Sequence, residues 1–430
     1  MHSFQYKNGS LHCEGVNLNS LADEHGTPTY VYSAGTFRDH YRKLDKALSG
    51  LDHGIEYAVK ANSNLSVLKL LVEEGSGFDI VSGGELQRVI AAGGDAGKCT
   101  FAGVGKTREE IEYALTQGIY CFNAESEEEV AFISKVAGEI GKVAPVAFRV
   151  NPNVDAKTHK YISTGKSENK FGVDFSSIDD AYARAAALPN ITLRGLQMHI
   201  GSQLTLLQPF MEAVEKVAPL ANRLKEAYGI EFFSIGGGVG IVYEDSLASG
   251  QPEWWAAKSD EERPLTIEEY ATGVTPILKE TGLKILVEPG RFIAGNAGVL
   301  LTRCLYEKKG SAKTFRIVDA GMNDLIRPAL YEGHHDIAPL NEPKASSTSV
   351  DVVGPVCETG DFFCQSRELP DFAPGEAIAL LSAGAYGFVM ASNYNSRGLP
   401  VEILVDGDEA RVIRPRQTVE DILASEIASL

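Results

Sequence analysis

The chain has 430 residues, with 40 Lys plus Arg against 58 Asp plus Glu, so its formal charge is −18. That balance weighs against nucleic acid and anionic membrane as partners, since both select clustered cations. With 44% hydrophobic and 23% charged residues, the composition is that of a folded globular protein rather than a disordered one.

The opening MHSFQYKNGS lacks the charged-then-apolar layout of an export signal, and no apolar run approaches the roughly 20 residues of a membrane span. Residues 1–31 read as short strands ending in Gly26-Thr27-Pro28. Eight short apolar runs follow: Ile55–Lys60, Phe78–Ser82, Thr100–Val104, Ile119–Asn123, Val146–Asn151, Leu193–His199, Phe232–Gly236 and Lys284–Glu288. Most are uniformly apolar, as strands buried on both faces are. Between them lie stripes at helical spacing, such as Leu65, Leu68, Leu71 and Val72, or Phe210, Val214, Val217, Ala221 and Leu224. Ser126 with Glu129, and Thr266 with Glu269, read as capping boxes. Eight strand–helix pairs over about 250 residues suit an α/β (β/α)8 TIM barrel, with an open doubly wound sheet as the rival. The polar loop 243–264 carries Trp254 and Trp255, read as local packing, with a lid as the alternative.

After residue 290 the rhythm changes. Phe315–Asp319, Ser349–Val353, Ala377–Leu381, Val401–Val405 and Ala410–Ile413 read as strands, and the tail from Thr418 as a capped helix. The expected domains are a barrel over 32–290 and a β-domain built from 1–31 plus 291–430. Six cysteines, at 13, 99, 121, 304, 357 and 364, are too few and scattered for a disulfide scaffold, and none forms a CxxC pair for zinc. His334 and His335 invite a metal reading, but no third ligand is evident, so packing is expected there and no metal. A reduced, cytoplasmic protein follows.

A barrel enzyme works at the C-terminal ends of its strands, and those ends are polar here. They carry Lys60 and Asn62, Ser82 to Glu85, Arg149 and Asn151, His199 to Ser202, Gly236 to Gly240, and Glu288 to Arg291. A lysine after Tyr57-Ala58-Val59 either reaches solvent or is partly desolvated, and burial would make its amine a Schiff-base nucleophile. The glycine run is either a plain turn or, after the seventh strand of a barrel, a phosphate cradle. Glu288 either pairs with Arg291 or faces a pyridine nitrogen and keeps it protonated. His199 is either a core histidine or a ring stacked on a planar cofactor. Amine, cradle and carboxylate together are what pyridoxal 5'-phosphate (PLP) requires.

At these residues the sequence resembles the fold-type III PLP-dependent decarboxylases. Tyr57 to Asn62 is similar to the family's PLP-lysine strand. Ser82 to Leu86, His199 to Gln203 and Glu288 to Arg291 match its other blocks, as do Met322 to Tyr331, Gly354 to Glu358 and Ala383 to Gly387. Thr359 and Val242 depart from residues frequent in the family. The resemblance implies an alanine-racemase-like barrel plus the β-domain. It implies Lys60 bonded to PLP, with His199 stacked on the ring and Glu288 at its nitrogen. Ser202, Gly237, Gly238, Gly290, Arg291 and Tyr386 would bind the phosphate. Arg291, Arg327, Tyr331, Glu358 and Tyr386 would grip the substrate, and Cys357 would donate a proton from a partner subunit, which implies a homodimer.

The implied reaction is decarboxylation of meso-2,6-diaminopimelate to L-lysine and CO2, the last step of lysine biosynthesis. Such a substrate keeps an ammonium and a carboxylate at its far end, and both need partners if buried. Arginines can fork that carboxylate, and Glu358 can take the ammonium. The alternative is a related decarboxylase acting on ornithine, arginine, lysine or a carboxylated polyamine precursor. A PLP carrier without catalysis, or a barrel isomerase or aldolase using Lys60 without PLP, are more distant rivals.

Overall fold

The computed structural model describes residues 2–155, 170–259, 262–343 and 346–430. The chain divides into two compact units: His40–Ile241 with Pro264–Phe292, and Met1–Asp39 with Val242–Arg263 and Ile293–Leu430. The segment 242–263 thus groups with the second unit, although it is flanked in sequence by the first.

In the first unit eight parallel strands close into a barrel. They are His53–Ala58, Gly77–Ile80, Cys99–Phe101, Cys121–Ala124, Ala144–Asn151, Ile191–Met198, Phe232–Ser234 and Lys284–Val287. Asn123 pairs with Ala147 between the fourth and fifth strands, and Val287 with Ile55 between the last and first. Those pairings close the ring and exclude the open sheet. All eight apolar runs are strands, with ends displaced by up to a few residues.

Alternation along each strand sorts the side chains. Cys121, Ala147, Phe232 and Leu286 meet as one apolar layer inside the barrel. Gly195 is small because Phe232 fills its place: a Cβ there would lie 2.4 Å from that ring. Two residues further along the same faces come Asn123, Arg149, Gln197, Ser234 and, past the last strand, Glu288. The barrel interior therefore changes from apolar to polar over one layer. The alternate faces carry Phe78, Phe101, Phe122 and Phe148, all fully buried. Each such ring contributes about 1.5–3 kcal/mol relative to exposure.

Helix starts hold the outer ring in register. Thr266 and Glu269 form a complete capping box. Ser126 caps the Glu129 amide, but the Glu129 carboxylate turns to the amide of Glu125 and to Lys106, so the expected second box is half made. Lys106 is the reason: its side chain is 1% exposed and takes Glu129 as its counter-ion. A further complete box, Thr107 with Glu110, starts the helix Arg108–Gln117.

The second unit is built on sheet. Its spine is the 12-residue strand Gly298–Lys309, which pairs with Thr29–Ser33, Thr314–Val318 and Ala377–Leu380. Thr29–Ser33 also runs parallel to Val401–Asp406, so an N-terminal strand is an integral part of this sheet. Phe4, Leu11, Val31, Val299, Leu301, Ala379 and Ile403 share one core. The expected strands after residue 314 form. Gly298–Lys309, Ile337–Pro339 and Phe362–Pro370 add three that the sequence pattern passed over. The first runs into a charged end, and the last is interrupted by Ser366 at φ +47°. Among the described residues no helix is long and apolar enough to cross a membrane.

Candidate active site

The barrel rim is built from strand ends that stop early. After Ala58 the chain enters a single 3-10 turn, Val59–Ala61, and Lys60 stands on it. Tyr57 Oη donates to the Asn62 carbonyl at 3.2 Å, and Asn64 Oδ1 caps the next helix. The amide of Ala58 donates to the Pro289 carbonyl, tying this turn to the Glu288-Pro289-Gly290 segment. Lys60 Nζ donates to Asp79 Oδ2 at 2.5 Å; the Asp79 side chain is 0% exposed and that of Lys60 42%. The amine is thus aimed by a buried carboxylate while its surroundings remain open.

Glu288 lies just past the last strand and is buried. Ser234 Oγ donates to its Oε1 at 2.6 Å, and Gln197 Nε2 to its Oε2 at 3.0 Å. Burial and the nearby Asp79 push its pKa up to about 7, against the hydrogen bonds that lower it. A cation set against it would pull that value down. Glu85, at the start of the helix Gly83–Ala91, is also pushed up to about 7 by burial.

His199 is partly exposed, and its Nδ1 accepts from the amide of Gly237 at 3.2 Å. Desolvation, then the cations of Arg149 and Lys60, hold its pKa well below the ordinary histidine value. The ring is neutral, which suits stacking on another aromatic plane. Arg149 behind it pairs with Glu125 at 3.0 Å and reaches the His199 carbonyl.

The glycine loop packs backbone on backbone. A Cβ at Gly237 would stand 2.2 Å from the Glu288 carbonyl oxygen, and Gly238 holds φ +113°. Leu204 and Gln203 brace the loop through Gly238, Gly240 and Ile241, and Arg291 Nη2 donates to Ser202 Oγ at 3.0 Å. Lys60, His199, Ser202, Gly237, Gly238, Glu288, Gly290 and Arg291 are all carried by the barrel unit.

Arg327, Tyr331, Cys357, Glu358 and Tyr386 belong to the other unit. Arg327 opens the short helix Arg327–Tyr331 and is buried, whereas Cys357 and Glu358 are exposed. Asp361 joins their segments by accepting from the amides of Met322 and Val356, each at 2.6 Å. Tyr394 Oη donates to Glu358 at 2.5 Å, and Asn395 accepts from the Cys357 amide. Tyr386 holds φ +56°, which a bulky side chain rarely adopts. All six cysteines are free thiols, and Cys357 is the exposed one.

Asp79, Gln197 and Ser234 were not singled out in the sequence. Gln197 and Ser234 lie two positions before His199 and Gly236, so they share an alternation with the rim, but only the closed ring shows that they face its interior. Trp254 and Trp255 meet edge to face at 5.1 Å and donate to Asp245 and the Ser249 carbonyl. Among the described residues, no group of three His, Cys, Asp or Glu side chains converges as metal ligands would.

The rim fits a planar, phosphorylated pyridine aldehyde. It offers an aimed amine, a carboxylate braced for a ring nitrogen and a loop only glycine can form. Two buried acceptors in the same interior, Asp79 Oδ1 and Gln197 Oε1, have no protein partner. A barrel with this rim defines a PLP-dependent enzyme, and residues 34–295 match the family model "Pyridoxal-dependent decarboxylase, pyridoxal binding domain". Over 428 residues, 99% of both chains, the sequence is 49% identical to diaminopimelate decarboxylase of Pseudomonas fluorescens. The structure of the Helicobacter pylori enzyme of that name, complexed with L-lysine, superposes with a TM-score of 0.89 at 41% identity, covering 96% of this chain and all of that one. The M. jannaschii enzyme with L-lysine gives 0.90 at 35%, covering 99% of this chain and 97% of that one. The chain belongs to the diaminopimelate decarboxylase family.

Proposed function

We propose that the protein uses PLP to decarboxylate meso-2,6-diaminopimelate to L-lysine and CO2. The observation that carries this is the Lys60 amine aimed by buried Asp79 on the same barrel rim as the braced Glu288. The full-length identity to diaminopimelate decarboxylases and the lysine held by two structural relatives support the substrate.

Lys60 is the residue that would hold the coenzyme by its aldehyde carbon. Gly237, Gly238, Ser202, the Gly290-Arg291 backbone and Tyr386 bind its phosphate. Glu288 keeps the ring nitrogen protonated, and His199 covers the ring face. Bound PLP supplies the sink for the electron pair released as the carbon–carbon bond breaks. Arg291, Arg327, Tyr331, Glu358 and Tyr386 hold the far ammonium and carboxylate, which fixes the scissile group's orientation. The Cys357 thiol then gives its proton to the carbon that lost CO2 and recovers one from solvent. The exposure of Cys357 within a single chain supports the reading that it works in a partner subunit's site of a homodimer.

Incubating PLP-loaded protein with meso-diaminopimelate, ornithine, arginine and lysine tests this, with CO2 and L-lysine as readouts. CO2 from the first alone is expected. Comparable release from ornithine would transfer the chain to the alternative substrate class.

A further inference from the structure

Arg327 is 6% exposed, so its guanidinium depends on partners inside the sheet unit. Its Nη1 lies 2.7 Å from Nε2 of His335, which is itself fully buried. Nδ1 of His335 lies 2.7 Å from the Leu381 carbonyl oxygen. The Arg327 guanidinium also sits over the Tyr243 ring at 4.7 Å, and that ring meets the His335 ring edge-on at 5.4 Å. The backbone around His335 is pinned as well. Arg367 donates to its carbonyl at 2.6 Å, and the next residues enter the strand Ile337–Pro339, paired with Ala377–Leu380.

These contacts assign the tautomer. A guanidinium only donates, so Nε2 must present its lone pair. A carbonyl only accepts, so Nδ1 must carry the hydrogen. The ring then bears one proton and no charge. A carboxylate in its place would anchor the arginine more strongly, but it would cancel the charge that an incoming anion needs. A neutral acceptor and an aromatic face orient the guanidinium without themselves adding a counter-charge.

We propose that His335 is a positioning residue: with Tyr243 it holds the Arg327 guanidinium oriented for a carboxylate of the substrate. This rests on the reading of Arg327 as a substrate-gripping residue. His335 is then neither a metal ligand nor simple packing, and Tyr243 gives the segment 242–263 a part in the same arrangement.

The test is steady-state kinetics of the PLP-loaded enzyme on meso-diaminopimelate. H335L should raise KM about tenfold and leave kcat within about threefold, with cofactor absorbance unchanged. H335Q, whose amide oxygen can accept near the Nε2 position, should recover most of the loss. R327A should raise KM further, and H335L added to R327A should change it little. An unchanged KM in R327A would overturn the reading of Arg327 itself. A raised KM in R327A with none in H335L, or an undiminished H335L effect in the double variant, would overturn the positioning role alone. Nitrogen-15 spectra of the wild-type histidines test the tautomer even if the variants do not fold. Among the nine histidines a neutral ring protonated at Nδ1 is expected, and its absence would overturn the proposal.

Discussion

The two units carry their functional groups in opposite conditions. On the barrel rim the Asp79 side chain is 0% exposed, and Glu288 is buried and braced by Ser234 and Gln197. In the sheet unit Cys357 and Glu358 stand exposed on a loop. The rim's geometry is thus fixed by partners inside its own unit before any ligand arrives, which is where pre-organisation is strongest. An exposed thiol and carboxylate in a single chain lack the dry surroundings that make such groups effective. The contrast separates groups that their own barrel buries and braces from groups that stand exposed on a loop.

Lys60 and Cys357 test that contrast most severely. K60A should abolish turnover, by about 10^4 or more, together with the visible absorbance of bound PLP. C357A should lower turnover by roughly 10^2 to 10^4 and keep the absorbance. Mixed and re-equilibrated, the two inactive variants should regain roughly a quarter of wild-type activity, because half the dimers would then carry one intact site in two. No regain on mixing would mean that both groups serve a site within one chain.

Glu288 sharpens the same comparison through pH. An acid with a raised folded pKa adds stability below its unfolded pKa and loses it as pH rises through the folded one. For Glu288 that window runs from its ordinary 4.5 to about 7. The cofactor-free protein should therefore lose stability across it, read as falling thermal midpoints. E288Q should flatten the slope by about 1 kcal/mol per pH unit. Glu85 shares the window, so some slope should survive. PLP loading should flatten it too, since a pyridinium favours the charged carboxylate. A slope unchanged in E288Q would show that burial does not raise the Glu288 pKa.

The smallest effect distinguishes two helix starts. T266A breaks a complete box and should cost about 1 kcal/mol. S126A should cost less, because the Glu129 carboxylate is committed to Lys106 and Glu125 whatever residue 126 is. Urea unfolding of both variants would measure the difference, and equal losses would show that the reciprocal bond matters little.

The eight barrel strands were legible because a strand buried on both faces must be apolar throughout, as Val146–Asn151 and Phe232–Gly236 are. The rim residues were legible because they interrupt those runs at their ends, as Lys60, His199 and Glu288 do. Asp79, Gln197 and Ser234 were not, because each sits inside a strand, where its inward direction and its partner depend on the closed ring. The strand Gly298–Lys309 escaped for a related reason. Its last three residues, Glu307 to Lys309, are charged, and its strand character comes from pairing on both sides.

From its residues alone the chain determined the strand–helix alternation, the amine and carboxylate at strand ends, and the glycine run between them. Those are properties of local pattern, which spacing and side-chain chemistry fix. Only the tertiary structure decided that Asp79 aims Lys60, that Ser234 and Gln197 brace Glu288, and that His335 meets Arg327. Each of those pairs joins residues brought together by strand closure or by a turn between elements, and a lone pair finds its donor only once the backbone has set both.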